Sequence, residues 1–289
     1  MSDLMRDPVP DTMSDPLADP TRLTKPHIIA IANQKGGVGK TTTCINLAAA
    51  LVERGARVLL VDIDPQGNAS TGLGIGANQR KLTSYDVILE SAAMEDVVLS
   101  SDIEGLLICP GSADLASTDI ELVANEKRSF LLHDALRNHS IDRLRVDFIL
   151  IDCPPSLSLL TVNALVASDA VLIPLQAEFF ALEGLSQLML TIRQVRQSAN
   201  PGLRVEGVLL TMHDGRNRLS LQVEADARET LGDLVFKTII PRNVRLSEAP
   251  SFAKPILTYD SNSRGSEAYR ALAEEILARH PLARTKEAT

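Results

Sequence analysis

The chain has 289 residues, of which 45% are hydrophobic and 23% are charged, and its formal net charge is −8. This composition is ordinary for a globular protein and supplies enough apolar residues for a sizeable core. No stretch of about 18 apolar residues predicts a membrane span, and no apolar segment near the amino terminus predicts a signal peptide. The three cysteines form no CxxC pair, which favours buried thiols in a reducing compartment over a disulfide framework.

The first 25 residues differ in composition from the rest of the chain. They contain five aspartates and four prolines, and their apolar residues recur at neither a helical nor a strand period. We therefore expect residues 1–25 to be a disordered acidic tail and residues 281–289 to be a frayed end. Residues 26–280 are expected to form one domain, because no linker or internal repeat interrupts them.

Between the tails, short apolar runs alternate with amphipathic stretches. The apolar runs predict strands at Ile28–Ala32, Val58–Ile63, Leu106–Cys109, Phe148–Ile151, Ala170–Leu175, Val205–Thr211 and Leu234–Ile240. The amphipathic stretches predict helices at Lys40–Arg54, Ser84–Leu89, Ser129–Asn138, Leu157–Ala167, Leu182–Ala199, Leu219–Leu231 and Ser266–Arg279. This alternation favours an α/β fold with a doubly wound, mostly parallel sheet and helices on both faces. Ligands of such sheets bind outside the carboxyl ends of the strands.

A glycine-rich turn joins the first predicted strand to the first predicted helix. Residues 33–42 have the sequence Asn-Gln-Lys-Gly-Gly-Val-Gly-Lys-Thr-Thr. In this context the glycines allow backbone N–H groups to surround a polyphosphate, and the helix N-terminus attracts the anion. The pattern therefore predicts a phosphate-binding loop in which Lys40 contacts the β and γ phosphates and Thr41 binds Mg²⁺. The loop has Gln34 where the usual pattern has its first glycine, and the additional Lys35 follows it.

Two later strands end in carboxylates. Asp62 and Asp64 lie at the end of the second predicted strand, and Asp152 follows the apolar run at Phe148–Ile151. A carboxylate at the end of a buried strand needs a partner, because burial of an unpaired charge is expensive. The lysines of the loop and a magnesium ion are the available partners. We therefore predict that Asp152 holds Mg²⁺ or its water ligands.

Together these three motifs resemble those of the ParA/Soj chromosome and plasmid partition ATPases, which belong to the deviant Walker A (ParA/MinD) group of P-loop NTPases. The deviant pattern K-G-G-x-G-K-[ST] spans Lys35 to Thr41. The resemblance covers roughly residues 27–280 and includes long segments at 178–185, 207–212 and 240–251. It implies an ATPase that uses ATP and Mg²⁺, releases ADP and phosphate, and turns over slowly alone.

The resemblance also implies a role for individual residues. Asp64 is implied to position the attacking water, and Lys35 is implied to reach the nucleotide of a partner subunit. The implied catalytic residues are Lys35, Lys40 and Asp64, and the implied metal-site residues are Thr41, Asp62 and Asp152. The implied nucleotide contacts are Lys35, Gly36, Gly37, Val38, Gly39, Lys40, Thr41 and Thr42 at the phosphates, and Thr211, Met212, Pro241, Asn243 and Val244 around the adenine.

The partners come from the same resemblance. It implies an ATP-dependent homodimer that binds double-stranded DNA without sequence preference, in the cytoplasm and on the nucleoid. A ParB-type centromere-binding protein is the implied stimulator of hydrolysis. The net charge argues against nucleic acid, but the stretch from Lys237 to Lys254 has four basic residues against the single acid Glu248. Arg216, in Asp-Gly-Arg-Asn, matches a DNA-binding arginine of the family, and Arg245 is the second candidate.

Three other functions occur on related scaffolds. A MinD-like membrane-associated ATPase, the main alternative, ends in a basic amphipathic helix, whereas residues 281–289 offer little apolar surface. An iron–sulfur carrier needs several cysteines in a defined spacing, and only Cys109 and Cys153 lie at predicted strand ends. A small-molecule kinase or ligase needs a substrate pocket, for which the sequence gives no signal. We therefore expect no membrane partner, and chromosomal or plasmid origin stays open.

Overall fold

A computed structural model describes residues 25–178 and 181–282 of the chain. The two predicted tails therefore lie almost wholly outside the described residues. Part of the segment at 178–185 that supported the family resemblance lies outside them as well. Among the described residues, no helix is long and apolar enough to cross a membrane.

The strands form one sheet of seven, in the order β3-β4-β2-β5-β1-β6-β7. They are β1 (His27–Ile31), β2 (Val58–Asp62), β3 (Leu99–Ser100), β4 (Leu106–Cys109), β5 (Phe148–Asp152), β6 (Ala170–Gln176) and β7 (Arg204–Thr211). Strand β3 is antiparallel to β4, and the other neighbouring strands are parallel. The predicted α/β fold with a mostly parallel sheet is confirmed.

Helices follow most of the strands. The described residues form α1 (Lys40–Glu53), α2 (Asn68–Gly72), α3 (Ser84–Ile88), α4 (Met94–Val97), α5 (Thr118–Glu121), α6 (Leu131–Leu136), α7 (Leu159–Ala167), α8 (Ala181–Ser198), α9 (Arg218–Leu231), α10 (Val244–Glu248), α11 (Ile256–Tyr259) and α12 (Arg264–Arg279). The longer helices lie where amphipathic periodicity predicts them.

Each face of the sheet has its own hydrophobic core. Along β1, Ile28 joins one core and Ile29 joins the other, because successive side chains of a strand point to opposite faces. Helices α6, α7 and α8 cover the Ile28 face, and α1 and α12 cover the Ile29 face. Burial on both faces explains why these strands are almost continuously apolar, and it confirms helices on both faces.

The prediction of a strand at Leu234–Ile240 is wrong. The segment runs beside β7 and forms backbone hydrogen bonds with it near both of its ends. Between these contacts, the backbone N–H groups of Lys237 and Thr238 donate to the Glu275 carboxylate of α12, at 3.1 and 2.6 Å. A side chain thus takes the place of a strand partner, and a continuous ladder does not form.

Candidate functional site

The carboxyl ends of β1, β2 and β5 bring the sequence motifs together. Asp62, the last residue of β2, lies directly opposite Asp152, the last residue of β5. Ile31 of β1 lies opposite Asp152 on the other side, and the glycine-rich turn begins just beyond it. The register of the sheet therefore places both carboxylates beside the predicted phosphate loop, at the edge where such sheets bind ligands.

The backbone of the turn depends on two glycines. Gly37 and Gly39 have φ values of 75° and 88°, which residues with a Cβ rarely adopt. Gly39 is the N-cap of α1 and provides no side-chain cap. The first N–H groups of this 14-residue helix therefore remain available for an anion. The Thr211 hydroxyl donates to the Val38 carbonyl at 2.8 Å and fixes the turn to β7.

The two lysines of the loop have different surroundings. Lys40 is only 6% exposed, and its Nζ donates to the Lys35 carbonyl at 3.0 Å. Burial lowers the pKa of Lys40, and the nearby Asp152 carboxylate opposes this change. The Lys35 side chain instead forms an ion pair with Glu178 of the same chain, where both side chains are partly exposed. Lys40 thus lies inside the site, and Lys35 lies at its rim.

Asp62 is buried but well supplied with donors. Its Oδ2 accepts hydrogen bonds from the Ser70 backbone N–H at 2.9 Å and from the Ser70 hydroxyl at 2.7 Å. Its Oδ1 accepts from the Asp64 backbone N–H at 3.2 Å. Burial raises the pKa of Asp62 to about 6, and the hydrogen bonds from Ser70 and Asp64 limit that rise.

Asp152 is also fully buried, and neither of its carboxylate oxygens accepts a well-formed hydrogen bond. Burial and the neighbouring Asp62 raise the pKa of Asp152 well above its usual range, and the nearby Thr41 hydroxyl opposes this rise. Buried polar groups normally have partners, so these two oxygens indicate a missing one. The donor set of two carboxylates and a threonine hydroxyl suits Mg²⁺, which prefers oxygen ligands. The predicted metal residues fit the ion.

Asp64 lies at the start of the turn after β2 and is 7% exposed. Its Oδ1 accepts the Gln66 backbone N–H at 3.0 Å, and its carbonyl accepts the Gly67 N–H at 2.9 Å. Gly67 has a φ of 60° and precedes α2. This tight turn holds the Asp64 carboxylate beside the lysine–aspartate cluster, where its charge acts on Lys40.

A cavity of about 320 Å³ lies between the ends of β7, the segment after Leu234–Ile240 and α1. Its lining includes Gly39, Thr42, Thr211, Met212, Pro241 and Asn243. Met212 has a φ of 52°, an unusual value for a non-glycine residue and one that often marks a functional position. Val244 is 71% exposed and is not among the lining residues. The structure thus brings most of the predicted adenine residues together beside the phosphate loop.

The two candidate DNA-binding arginines are exposed, and both are paired with acids. Arg216 bonds to Asp214 through Nε and Nη2, at 3.1 and 3.2 Å. Arg245 lies 2.9 Å from Glu248 and 3.6 Å from Asp260. The local positive charge is therefore smaller than the count of basic residues suggests.

Three residues that no sequence pattern singles out support the site. Ser70 binds Asp62, as described above, and also accepts the Gly111 backbone N–H at 3.0 Å. A Cβ at Gly111 would lie 2.9 Å from the Asp62 carbonyl, so only glycine fits there. Arg80 donates to the carbonyls of Gly67, Ile75 and Gly111 and to the Thr71 hydroxyl, at 2.7 to 3.3 Å. Since these residues lie far apart in sequence, only the fold shows that they form one support.

The cysteines do not suit a metal cluster. Cys44, Cys109 and Cys153 are free and completely buried. Burial raises the pKa of each thiol, whereas a cysteine binds metal as the thiolate. They fill space in the two cores, as their apolar sequence context predicts.

Comparisons with known proteins agree with this geometry. A family model described as an AAA domain matches residues 26–205. The chain is 55% identical over 257 residues to the chromosome partitioning protein ParA of Caulobacter vibrioides, covering 88% of this chain and 94% of that protein. It is 53% identical over 251 residues to the sporulation initiation inhibitor protein Soj of Bacillus subtilis, covering 87% and 98%.

A solved structure with the same fold holds the nucleotide and ion that the sequence predicts. Cobyrinic acid a,c-diamide synthase from Mycobacterium smegmatis, with bound ADP and magnesium, matches with a TM-score of 0.76 and 36% identity over 88% of this chain and 95% of that chain. The same enzyme is also known with an ATP analogue and magnesium. Taken with the close relatives, these similarities show that the chain belongs to the ParA/Soj family of P-loop partitioning ATPases.

Proposed function

We propose that this protein is a magnesium-dependent DNA-segregation ATPase. Its ATP-bound form is a homodimer that binds double-stranded DNA without sequence preference, and hydrolysis releases the DNA. The observation that carries the proposal is the buried pair Asp62 and Asp152 beside Lys40, because the Asp152 oxygens lack partners that a nucleotide-bound cation would supply.

Different residues of the site bind the phosphates, hold the metal ion and orient the attacking water. The backbone N–H groups at the start of α1 and the Lys40 ammonium bind the β and γ phosphates. Asp62, Asp152 and Thr41 would hold Mg²⁺, and the ion would supply positive charge to the phosphate oxygens. Asp64 orients the water that attacks the γ phosphate. To reach the phosphates, the Lys40 side chain leaves the Lys35 carbonyl that it contacts here.

The adenine occupies the cavity beside Gly39. Met212 and Pro241 supply flat apolar contact for the ring. Asn243 uses its Oδ1 to cap α10, at 2.8 Å from the Arg245 backbone N–H, so its NH₂ group is the donor available to the adenine edge.

Dimerisation adds a second lysine, Lys35 of the partner subunit, to the positive charges around the γ phosphate. Lys35 lies at the rim of the site and binds Glu178 of its own chain through a partly exposed ion pair, a kind of pair that contributes only about 0–1 kcal/mol. Exchange of Glu178 for the γ phosphate of a partner subunit is therefore energetically accessible. ATP joins the two subunits in this way, and loss of the γ phosphate separates them.

DNA binding follows dimerisation, because each subunit contributes only a weak basic patch. Arg216 and Arg245 contact backbone phosphates, and a phosphate exchanges places with Asp214 at Arg216 and with Glu248 at Arg245. Two linked patches bind far more tightly than one, which makes binding depend on ATP. A ParB-type protein stimulates hydrolysis and so sets the lifetime of the complex on the nucleoid.

The MinD-like alternative has less support from the last helix. Helix α12 buries its apolar side chains, among them Tyr269, Leu272 and Ile276, in the core against α1. These side chains are therefore not available to a lipid surface. A vesicle-pelleting assay with ATP separates the two proposals, since the MinD-like function requires ATP-dependent binding to anionic vesicles.

Binding of a fluorescent ATP analogue with and without Mg²⁺ tests the proposal at its metal site. The variants are Asp152→Asn and, as a control, Asp102→Asn at an exposed acid outside the site. We expect Mg²⁺ to increase the affinity and to support phosphate release in the wild-type and control proteins, and both effects to fall at least tenfold in Asp152→Asn. Equal responses to Mg²⁺ in the two variants would refute the role of Asp152.

A further inference from the structure

The amino ends of the strands, on the side of the sheet away from the nucleotide site, carry a separate cluster of metal-binding side chains. His27 lies at the amino end of β1, Glu206 lies near the amino end of β7, and His280 follows α12. One nitrogen of each imidazole and one oxygen of Glu206 all lie within 4.8 Å of one another. A shallow cavity of about 550 Å³, lined in part by these three residues, opens beside them.

The geometry of the cluster converges on one oxygen. His280 Nε2 lies 3.0 Å from Glu206 Oε2, and His27 Nε2 lies 3.7 Å from the same atom. The two imidazole rings stack with their centroids 3.8 Å apart, which brings both nitrogens to the same carboxylate. In a tetrahedral zinc site with bonds of about 2.0–2.1 Å, neighbouring ligand atoms lie about 3.3 Å apart. These two separations lie on either side of that value, and the stacked rings must rotate apart for both nitrogens to bind one ion.

One ligand atom lacks a hydrogen bond of normal length. His27 Nε2 is buried and has no hydrogen bond in the structure, although buried polar groups are normally paired. The Glu206 side chain is 6% exposed, and its other oxygen, Oε1, lies 3.2 Å from Arg279 Nη1. Arg279 therefore holds the carboxylate in place, with Oε2 facing the two imidazoles.

The surroundings of His27 include a carboxylate near its second ring nitrogen. Its second ring nitrogen, Nδ1, lies 3.7 Å from Asp169 Oδ2. A carboxylate beside the second nitrogen is the usual way in which a protein orients such an imidazole. Asp169 is itself held by Arg137 at 2.6 Å and by the backbone N–H of Ile28 at 2.8 Å. The orienting group is thus fixed before a metal binds.

We propose that His27, Glu206 and His280 form a binding site for a divalent transition metal of the zinc type, with water as the fourth ligand. Two imidazoles and one carboxylate are a ligand set that proteins use for Zn²⁺. The bound ion ties together the start of β1, β7 and the end of α12, so it acts on the stability of the fold. This inference is independent of the proposed nucleotide chemistry, because the site lies at the amino ends of the strands.

Zinc binding by the full-length, tag-free chain tests the proposal. The test variant is His27→Gln with His280→Gln, and the matched control is His139→Gln, whose imidazole is fully exposed and lies outside the cluster. In competition with a chromophoric chelator at pH 7.5, we expect one zinc ion per wild-type or control chain. We expect at least a tenfold loss of affinity in the double variant, and a rise in the unfolding temperature with zinc only where the site is intact.

Cobalt provides a measurement that needs no variant. Co²⁺ bound to the wild-type protein in a tetrahedral site gives intense visible absorption, and added zinc should remove it. The proposal is wrong if the wild-type protein binds less than one zinc ion, if the double variant retains wild-type affinity, or if bound Co²⁺ shows only the weak absorption of an octahedral hydrated ion.

Discussion

Asp62 and Asp152 occupy matched positions at the ends of the adjacent parallel strands β2 and β5, and both are completely buried. Ser70 donates two hydrogen bonds to the Asp62 carboxylate, whereas the Asp152 oxygens have no well-formed hydrogen bond. Two neighbouring carboxylates in a buried site repel each other when both are ionised. A bound cation removes this repulsion, so the arrangement favours the magnesium-bound protein over the metal-free one.

The metal-free protein should become less stable as the pH rises. The folded-state pKa of Asp62 is about 6, above its usual 3.8, so the folded state holds this proton more tightly than the unfolded state. The stability from this group is complete below pH 4 and is lost between about pH 4 and 6, by about 3 kcal/mol in total. Urea unfolding in a chelator, followed by circular dichroism across this range, measures the loss.

The variant Asp152→Asn should remove the repulsion without removing volume. In chelator at pH 8, we expect it to be more stable than the wild-type protein by about 1 kcal/mol, the value of one pKa unit of charge repulsion, because a neutral amide does not repel the Asp62 carboxylate. Addition of Mg²⁺ and ATP should stabilise the wild-type protein and not the variant. An Asp152→Asn protein that is less stable than wild type in chelator would mean that Asp152 has a partner in the metal-free fold.

Substitution of the two loop lysines should affect ATP binding and ATP hydrolysis differently. Lys40→Ala should abolish ATP binding, because Lys40 lies inside the site beside Asp152. Lys35→Ala should leave ATP binding within about threefold of wild type, because Lys35 is partly exposed at the rim, and should lose hydrolysis. Equilibrium binding of a fluorescent nucleotide and phosphate release measure the two effects. Normal hydrolysis by Lys35→Ala would exclude the role across the dimer.

The DNA surface can be tested by a gain as well as a loss. Arg216→Ala with Arg245→Ala should lose most of the DNA affinity of the ATP-bound protein and lower the salt slope by about 0.9 per phosphate contact removed. Asp214→Asn should increase the DNA affinity, because the ion pair between Arg216 and the Asp214 carboxylate no longer competes with a DNA phosphate for the guanidinium.

The control for the DNA test is Arg143→Ala. Arg143 is an exposed arginine that is likewise paired with an acid, Glu95, and it lies in a different part of the chain. Nitrocellulose filter binding over a salt series compares the variants. If the double variant binds DNA as tightly as the Arg143→Ala control does, DNA binds to another surface of the protein.

The sequence predicts the parts of the site that local chemistry determines. Strand ends, a glycine turn and a helix start each leave a pattern in a few adjacent residues, so the positions of Lys40, Asp62 and Asp152 at one end of the sheet could be predicted. Helices α2, α4, α5, α10 and α11 are missing from the prediction, because four or five residues rarely show a helical period; α3, which has five residues, is the short helix that is predicted. Strand β3 has two residues and gives no alternating pattern.

The rest depends on contacts between distant residues. Arg80 holds the turn after β2 through Gly67 and Gly111, and neither contact has a signature in sequence. The incorrect strand prediction at Leu234–Ile240 also results from a contact between distant residues, because two backbone N–H groups of this segment donate to the Glu275 carboxylate. The cluster of His27, Glu206 and His280 also arises only because the fold brings both ends of the described chain to the amino end of β7.

The most direct test of the proposed ATP-driven dimer is sedimentation velocity of Asp64→Ala with Mg²⁺, because this variant should bind ATP without hydrolysing it. We expect a dimer with ATP, a monomer with ADP, and a monomer with ATP when Lys35→Ala is added to the same chain. Binding of ATP by a protein that stays monomeric, or dimerisation that survives Lys35→Ala, would contradict the account.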